Sequence, residues 1–252
     1  MATSESQDRF RAILVLAAAA GTIIFNILAV MGYVNGITPK QVSAKYESVM
    51  TPADYAFTIW SLIYLGMIAF AVYQMLPANN TRTRGVRTLF IASCVLNCAW
   101  IYFWHQERIG VCLIIIIGFA AVLGMIAFQM REVDTFKTAL VTSATFGLYF
   151  GWVTCAALIN LAIWMDYAGY LPHGYASVGG IIFIAIAAAL AVLVRVVIGN
   201  FIYALAVAWA LTAIGVKQSG NTGLVIAAAL GTMIALITAG SVVTRLKDST
   251  GN

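Results

Sequence analysis

The sequence has little charge. Only 9% of its 252 residues are Asp, Glu, Lys or Arg, whereas a soluble domain carries about a quarter charged residues. Hydrophobic residues make up 62% of the chain, and the mean hydropathy is +0.95. These values exclude a soluble globular domain. No basic patch interleaved with aromatic residues is present, so we expect no nucleic-acid partner.

Ionisable side chains are scarcest inside the apolar segments. Arg195 is the one clear case, and it lies near a segment end, where its long side chain reaches the interface. The lack of intramembrane carboxylates argues against a proton-coupled pump, and the lack of a mid-segment lysine excludes a retinal Schiff base. No nucleophile–base pair is visible. We therefore expect no enzymatic activity and no catalytic residue.

Cysteine and histidine are also few, with four and two residues. The cysteines lie within apolar segments without paired-ligand spacing, which predicts small buried side chains and no metal site. His105 stands at a segment edge beside Glu107. A capping or interfacial role is the commoner use of such a histidine, and an axial haem ligand is the alternative. The cysteines are Cys94, Cys98, Cys112 and Cys155.

Long apolar runs are abundant. Several exceed the roughly 18 residues that mark a membrane-spanning helix, and they are far too long for barrel strands. Gly199-Asn200 is a turn signal that divides the apolar block 178–216 into two segments. The sequence therefore predicts an all-α polytopic membrane protein with about eight transmembrane helices. The predicted spans are 10–34, 54–77, 86–105, 109–130, 138–165, 178–198, 201–216 and 222–244.

The basic residues predict the orientation of these spans. Eight spans bring both termini to one face, which would hold ten Lys and Arg residues against four on the other. Because cytoplasmic loops are enriched in Lys and Arg, we expect cytoplasmic N- and C-termini in a plasma membrane. The ten are Arg9, Arg11, Arg82, Arg84, Arg87, Arg131, Lys137, Arg195, Arg245 and Lys247; the four are Lys40, Lys45, Arg108 and Lys217.

The chain divides by texture into residues 1–166 and 167–252. The first part holds five of the six tryptophans, and the second is mostly Ala, Val, Ile, Leu and Gly apart from Trp209. The longest connection, Asn35 to Ala53, is polar and aromatic, so we expect a lid or binding loop there. The composition predicts a ligand-handling bundle followed by a three-helix membrane extension.

Three predicted spans carry aromatic and polar stripes at helical spacing. In the fifth, Trp152, Ala156 and Asn160 recur every four residues, so the small alanine leaves a notch between two larger side chains. Such stripes could line a flat apolar pocket. They equally suit interfacial belts and interhelical packing, which is the commoner use. The other stripes are Phe57, Trp60 and Tyr64, and Asn97, Trp100 and Trp104; Tyr149 and Trp164 extend the fifth-span stripe.

The chain resembles the tryptophan-rich sensory protein or translocator protein (TspO/MBR) family in three segments. TPADYAFTIWSLIYLGMIA looks like that family's second-helix signature, LNCAW is similar to its third-helix signature, and YFGWVTCAALIN to its fifth. All three occur in order on the expected spans, and the likeness covers about residues 10–166.

The resemblance implies a TspO-like five-helix bundle followed here by three C-terminal helices. Family members bind tetrapyrroles such as protoporphyrin IX and haem, and they are often dimeric. A homodimer, surrounding membrane lipids and a tetrapyrrole ligand are therefore the implied partners, with no certain cofactor. Carried over by motif, the loop around Lys45 and Tyr46 would form a lid. The implied ligand-binding residues are Trp60, Tyr64, Asn97, Trp100, Tyr149, Trp152, Ala156 and Asn160.

The sequence also departs from the family pattern. Leu148 stands where the family has Pro, and the first loop lacks tryptophan. Leu161 and Met165 replace the Tyr and Arg of the sterol-recognition pattern, so sterol binding in that mode is not expected. Residues 177–252 have no counterpart in the five-helix family.

Three functions remain as hypotheses. The first is a membrane receptor or carrier for a flat hydrophobic ligand, which the resemblance implies to be a tetrapyrrole. The second is a secondary transporter of a small hydrophobic solute, which predicts flux in vesicles. The third is a structural or assembly protein, which would bind no small ligand but hold a fixed partner.

Overall fold

The computed structural model of the chain describes residues 2–132, 135–170 and 174–241. Every regular element in these ranges is helical, which confirms the predicted all-α class. Eight long helices follow one another as α1 (Ala2–Val30), α2 (Ile59–Tyr73), α3 (Arg87–His105), α4 (Ile109–Gln129), α5 (Thr145–Tyr167), α6 (Ala176–Val197), α7 (Phe201–Lys217) and α8 (Thr222–Gly240).

Short helical turns connect or extend the long helices. One of them, Asp54–Thr58, leads directly into α2, and two others, Phe136–Thr138 and the π-helical Ala139–Ala144, lead into α5. The remaining short elements are Pro39–Lys45, Pro77–Asn79, Asn80–Thr83 and Arg84–Val86.

Seven helical segments of the described chain are long and apolar enough to cross a membrane. The eighth, α7, has only 17 residues. It nevertheless connects both ends of the molecule, because its preceding residue Asn200 bonds Ser143 and its last residue Lys217 pairs with Glu47. The chain is thus an integral multi-pass membrane protein whose eight predicted spans are all helices.

The predicted break in the long apolar block is confirmed. Gly199 has φ of +81°, a conformation that favours glycine. The Asn200 side chain then accepts a hydrogen bond from Tyr203 N at 3.2 Å and so caps α7.

The outer limits of the first and last spans differ from prediction. The helix α1 ends at Val30 and not at residue 34, because the chain turns through left-handed backbone at Gly32, Asn35 and Gly36. The predicted last three residues of the final span, 242–244, lie outside the described residues, as do Arg245 and Lys247.

The first five helices form a closed ring in the order α1, α2, α5, α4, α3. The three C-terminal helices pack against one another, and α6 and α7 also pack against α5. Among the seven longer apolar spans of the described chain, the one that contains α5 is the most buried, with 61% of its most apolar 18 residues inside the protein.

Two glycines on α5 allow the C-terminal helices to dock. A Cβ added at Gly151 would lie 2.7 Å from both Ala206 Cβ and Tyr203 O, and one at Gly147 would overlap the Asn200 side chain. The GxxxG spacing of these glycines predicts close helix contact, and the contact is made with the start of α7.

The half of the bundle near the α1 N-terminus is filled. Phe70, Phe90 and Phe146 pack with ring centroids 4.8–6.2 Å apart, and none is exposed. Beyond them, the buried Arg87 guanidinium donates to Asp8 Oδ1 at 2.7 Å and to Gln74 Oε1 at 2.8 Å. These contacts join α1, α2 and α3 at this end of the ring.

Candidate functional site

A cavity of about 620 Å³ opens at the end of the ring where α1 ends and α2 begins. Four helices, α1, α2, α3 and α5, form its walls. Residues 38–58, here called the roof segment, contribute its remaining surface. The lining residues of the helices are Asn26, Ile27, Val30, Met31, Trp60, Ser61, Tyr64, Trp100, Ile101, Trp104, Trp152, Ala156, Ile159, Asn160 and Ile163; those of the roof segment are Thr38, Pro39, Lys40, Ser43, Pro52, Asp54, Phe57 and Thr58.

Stacked aromatic pairs border the cavity on two helices. Trp60 and Tyr64 of α2 have ring centroids 5.6 Å apart at 27°, and Trp100 and Trp104 of α3 are 5.6 Å apart at 16°. The spacing of four residues puts each pair on one helix face, one turn apart. The walls therefore offer broad apolar ring surfaces.

The α5 wall carries the notch that the sequence predicts at Ala156. Asn160, one turn further on, accepts a hydrogen bond from Trp100 Nε1 at 3.2 Å and donates to Ala156 O at 2.9 Å. These bonds hold the Trp100 indole against α5. Both the oxygen and the nitrogen of the Asn160 amide are thus hydrogen-bonded, as a buried polar group requires. The bond to its oxygen orients the Trp100 ring.

A hydrogen-bonded chain closes the cavity on its inner side. Asn26 donates to Asn97 Oδ1 at 2.7 Å, and Asn97 donates to Tyr149 Oη at 2.9 Å. All three side chains are buried, with at most 5% exposure. Polar groups at membrane depth need such partners, so this chain forms a stable floor that joins α1, α3 and α5.

The roof segment begins with a well-capped short helix. Thr38 and Gln41 form a reciprocal capping box at the start of Pro39–Lys45. Trp104 Nε1 donates to Pro39 O at 3.4 Å, which ties this helix to the α3 wall. Lys40 pairs with Asp54 across the cavity mouth, and both side chains are more than 60% exposed.

The end of the same short helix is held by Glu107 in the loop after α3. Lys45 forms an ion pair with Glu107, and Tyr46 Oη donates to the same carboxylate at 2.6 Å. The hydrogen bonds from Lys45 and Tyr46 lower the pKa of Glu107. The hydrogen bond to Glu107, together with partial burial, raises the pKa of Tyr46 to about 12.

The structure brings most of the predicted ligand-binding residues to one cavity. Trp60, Tyr64, Trp100, Trp152, Ala156 and Asn160 all line it. Asn97 and Tyr149 lie just behind its surface, in the floor. Lys45 and Tyr46 belong to the roof segment but turn toward Glu107, and the nearest roof residues that line the cavity are Ser43 before them and Pro52 after them. Ligand contact by any of these residues stays a prediction.

Several lining residues were missed by the sequence reasoning. Asn26 is the most informative, because it reaches both the cavity and the floor. Its spacing of four residues from Thr22, within an otherwise apolar run, was the available signal. Asp54 and Ser43 lie in loop or short-helix positions that carry no comparable periodicity.

His105 does not take the position of a haem ligand. Its side chain is fully buried and is not among the residues that line the cavity. The Nδ1 atom lies 2.6 Å from Ile101 O, a contact that requires a proton on Nδ1. Across the described ranges, no group of three or more His, Cys, Asp or Glu side chains is arranged to hold a metal ion.

The fold and the cavity define a class, a multi-pass helical membrane protein with an aromatic-lined cavity inside a five-helix ring. Comparison with known proteins gives the family. The family model described as TSPO-like protein matches residues 12–243, which include the three C-terminal helices as well as the ring. The chain belongs to this TSPO-like family. No curated protein and no solved structure matches it.

Proposed function

We propose that the protein is a membrane receptor or carrier that binds a flat hydrophobic ligand, most specifically a tetrapyrrole such as protoporphyrin IX or haem. Family membership suggests a ligand-binding or transport protein of the membrane. The observation that carries the proposal is the cavity of about 620 Å³ bordered by two stacked aromatic pairs. This volume falls within the usual range for small-molecule sites, about 300–1,000 Å³.

The affinity would come mainly from ring surfaces. Apolar burial contributes roughly 25 cal/mol per Å², and aromatic pairs contribute somewhat more when they stack or meet edge to face. The lining tryptophans are already fixed by neighbours, such as Trp152 by Phe57 at 6.0 Å and Trp100 by Asn160. A ligand would therefore order few side chains on binding, which favours affinity.

The charges at the mouth suit an amphipathic ligand. Among the described lining residues, Lys40 and Asp54 carry the formal charges, and they pair with each other. A ligand carboxylate would compete with Asp54 for Lys40, so the acidic edge of a tetrapyrrole would lie near the roof segment. Among the described residues that line the interior wall, no acid–base pair is buried, and we propose a binding protein without enzymatic activity.

We further propose that both termini face the cytoplasm of a plasma membrane, on the basis of the predicted charge bias. The cavity would then open to the opposite side. A secondary transporter is the alternative function, and it would require the Asn26–Asn97–Tyr149 floor to part. Homodimerisation, which the resemblance implies, stays a prediction.

The proposal is tested by titrating the purified protein with protoporphyrin IX and following tryptophan quenching. Ala156→Leu would fill the notch, and we expect at least a tenfold loss of affinity. Ala157→Leu is the matched control, because Ala157 lies next to Ala156 on the same helix but does not line the cavity. A double variant, Trp100→Ala with Trp152→Ala, should lose most of the quenching.

Two results would contradict this function. Equal affinities for Ala156→Leu and Ala157→Leu would remove the cavity from the binding site. An absence of saturable quenching in the unmodified protein would reject the tetrapyrrole as ligand. Flux of the ligand across sealed vesicles, driven by its gradient, would favour the transporter alternative.

A further inference from the structure

The C-terminal helices hold the roof segment, although they contribute no residue to the cavity wall. Ala53 N donates to Ala213 O of α7 at 3.0 Å. The indole Nε1 of Trp209, also on α7, donates to Ala56 O at 3.0 Å. Two groups of the roof backbone are thus paired with α7 and not with the five-helix ring.

Further contacts continue along the same face of α7. The Trp209 and Tyr55 rings meet edge to face at 5.3 Å. Lys217 Nζ lies 2.5 Å from Glu47 Oε1. Because Trp209, Ala213 and Lys217 recur every four residues, they lie on one face of α7 and contact the roof segment over two helical turns.

The roof residues that contact α7 are adjacent in sequence to residues that line the cavity. Asp54, Phe57 and Thr58 line the cavity. Tyr55 and Ala56, which lie between Asp54 and Phe57 in the sequence, contact Trp209. Phe57 in turn meets Trp152 of the α5 wall edge to face. A displacement of the short turn Asp54–Thr58 would therefore open the mouth and release one aromatic wall contact together.

The other side of α7 is fixed on α5. Gly151 lies against Tyr203 and Ala206 without room for a side chain, and Phe150 packs on Tyr203 at 4.8 Å. The helix α7 is thus seated on the same helix that carries Trp152 and Ala156. It spans from the α5 wall to the roof and fixes the distance between them.

We propose that α7 is a brace that sets the closed position of the roof segment, and that Trp209 is a positioning residue that controls access to the cavity. The inference deepens the binding function proposed above and rests on it for its biological meaning. Its physical content, access to the cavity, is measurable without a ligand.

The experiment measures how fast a water-soluble maleimide labels a cysteine placed in the cavity wall. Ala156→Cys supplies the target, in a Cys98→Ser background that removes the half-buried native thiol. Trp209→Phe keeps an aromatic ring near Tyr55 but removes the N–H donor to Ala56. We expect labelling to become about tenfold faster in Trp209→Phe.

Thr212→Val is the matched control. Thr212 lies on α7 but faces Thr232 of α8, away from the roof. It should leave the labelling rate unchanged. Hydrogen–deuterium exchange should locate the change, with faster exchange of the amides in 51–58 for Trp209→Phe alone and equal melting temperatures for both variants.

The outcomes separate the brace from the binding function. Unchanged labelling in Trp209→Phe would overturn the brace, and so would an equal acceleration in Thr212→Val, which would indicate general loosening. Faster labelling with faster exchange in 51–58 would support it. If the unmodified protein binds no protoporphyrin IX, the proposed ligand fails while the labelling result still decides the brace.

Discussion

The five-helix ring and the three C-terminal helices are packed with different side chains, and the difference has a physical consequence. The ring carries large aromatic residues and three asparagines at membrane depth, Asn26, Asn97 and Asn160. The buried face of α7 is mostly alanine. Large rigid rings leave space where helices diverge, whereas small residues let backbones approach. The cavity lies in the first region and the tight helix contacts lie in the second.

Polar groups follow the same division. In the ring, the Asn26–Asn97–Tyr149 chain joins three helices. In the C-terminal unit, helices approach closely, as at Gly231 beside Leu211 and Ile184, and the polar contacts of Thr212 with Thr232 and of Asn221 with Ser177 are exposed or half-buried. In the ring, these buried hydrogen bonds therefore fix the distances between α1, α3 and α5. The C-terminal unit is stabilised by dispersion between closely packed surfaces.

The largest expected effect on stability comes from a substitution at the interface between the two regions, here called the seam, where Gly151 of α5 packs against Tyr203 and Ala206 of α7. Gly151→Ala would place a methyl group 2.7 Å from Tyr203 O, so we expect about 2 kcal/mol of destabilisation from overpacking. Gly118→Ala is the control, because its added Cβ meets nothing within 4 Å. Reversible unfolding in mixed micelles measures both. Equal stabilities of the two variants would show that the seam tolerates expansion.

A smaller effect is expected from the polar floor. Asn97→Leu removes the acceptor for Asn26 and the donor to Tyr149, and we expect a loss of about 1–2 kcal/mol in the same unfolding assay. Thr212→Val in the C-terminal unit removes an exposed contact and should change stability by less than about 0.5 kcal/mol. The comparison between regions would break if the two variants were equally stable.

The smallest effect concerns two attachments of the roof segment that differ in their response to pH. One is formed by Lys45 and Tyr46 with Glu107, and the other is the hydrogen bond from Trp209 to Ala56. Glu107 has a lowered pKa, so its contribution is present above about pH 4.3 and is lost as pH falls through the folded value. Tyr46 has a raised pKa, so its contribution is present below about pH 10 and is lost as pH rises through about 12. The hydrogen bond from Trp209 Nε1 to Ala56 O joins two groups that do not ionise.

The substitution Glu107→Gln tests whether the Glu107 carboxylate is the cause of the raised pKa of Tyr46. Without the carboxylate, the pKa of Tyr46 should fall from about 12 toward about 10. A rapid pH jump to about 11, followed by tyrosinate absorbance, should then detect one more ionised tyrosine than in the unmodified protein. Tyr46→Phe combined with Glu107→Gln should abolish the difference. Absorbance that does not distinguish Glu107→Gln from the unmodified protein would contradict the assigned cause.

The helices were predictable because their signals are local. Apolar length predicted the spans, and Gly199-Asn200 predicted the division between α6 and α7. The stripe on α5 predicted a notch at Ala156, and the cavity lies over it. The helix period relates residues on one face of one helix, so these statements needed no tertiary information.

The contacts between distant segments were not predictable. The family resemblance implied that the loop around Lys45 and Tyr46 forms a lid, but their partner Glu107 lies 62 residues beyond Lys45 and 61 beyond Tyr46. The hydrogen bond from Trp209 to Ala56 joins residues 153 positions apart. Such pairings depend on how eight helices are arranged, and a single sequence does not encode that arrangement in any local pattern.

The short length of α7 also bears on how the protein meets its bilayer. Seventeen residues rise about 26 Å, less than the roughly 30 Å of a typical hydrocarbon core. The helices α5, α6 and α8 all pack against α7, and its two ends bond to protein groups at Ser143 and Glu47. Membrane thickness therefore acts on its longer neighbours, and a thicker, sterol-rich bilayer would reduce the tilt of the outer helices while α7 stays held between its protein contacts.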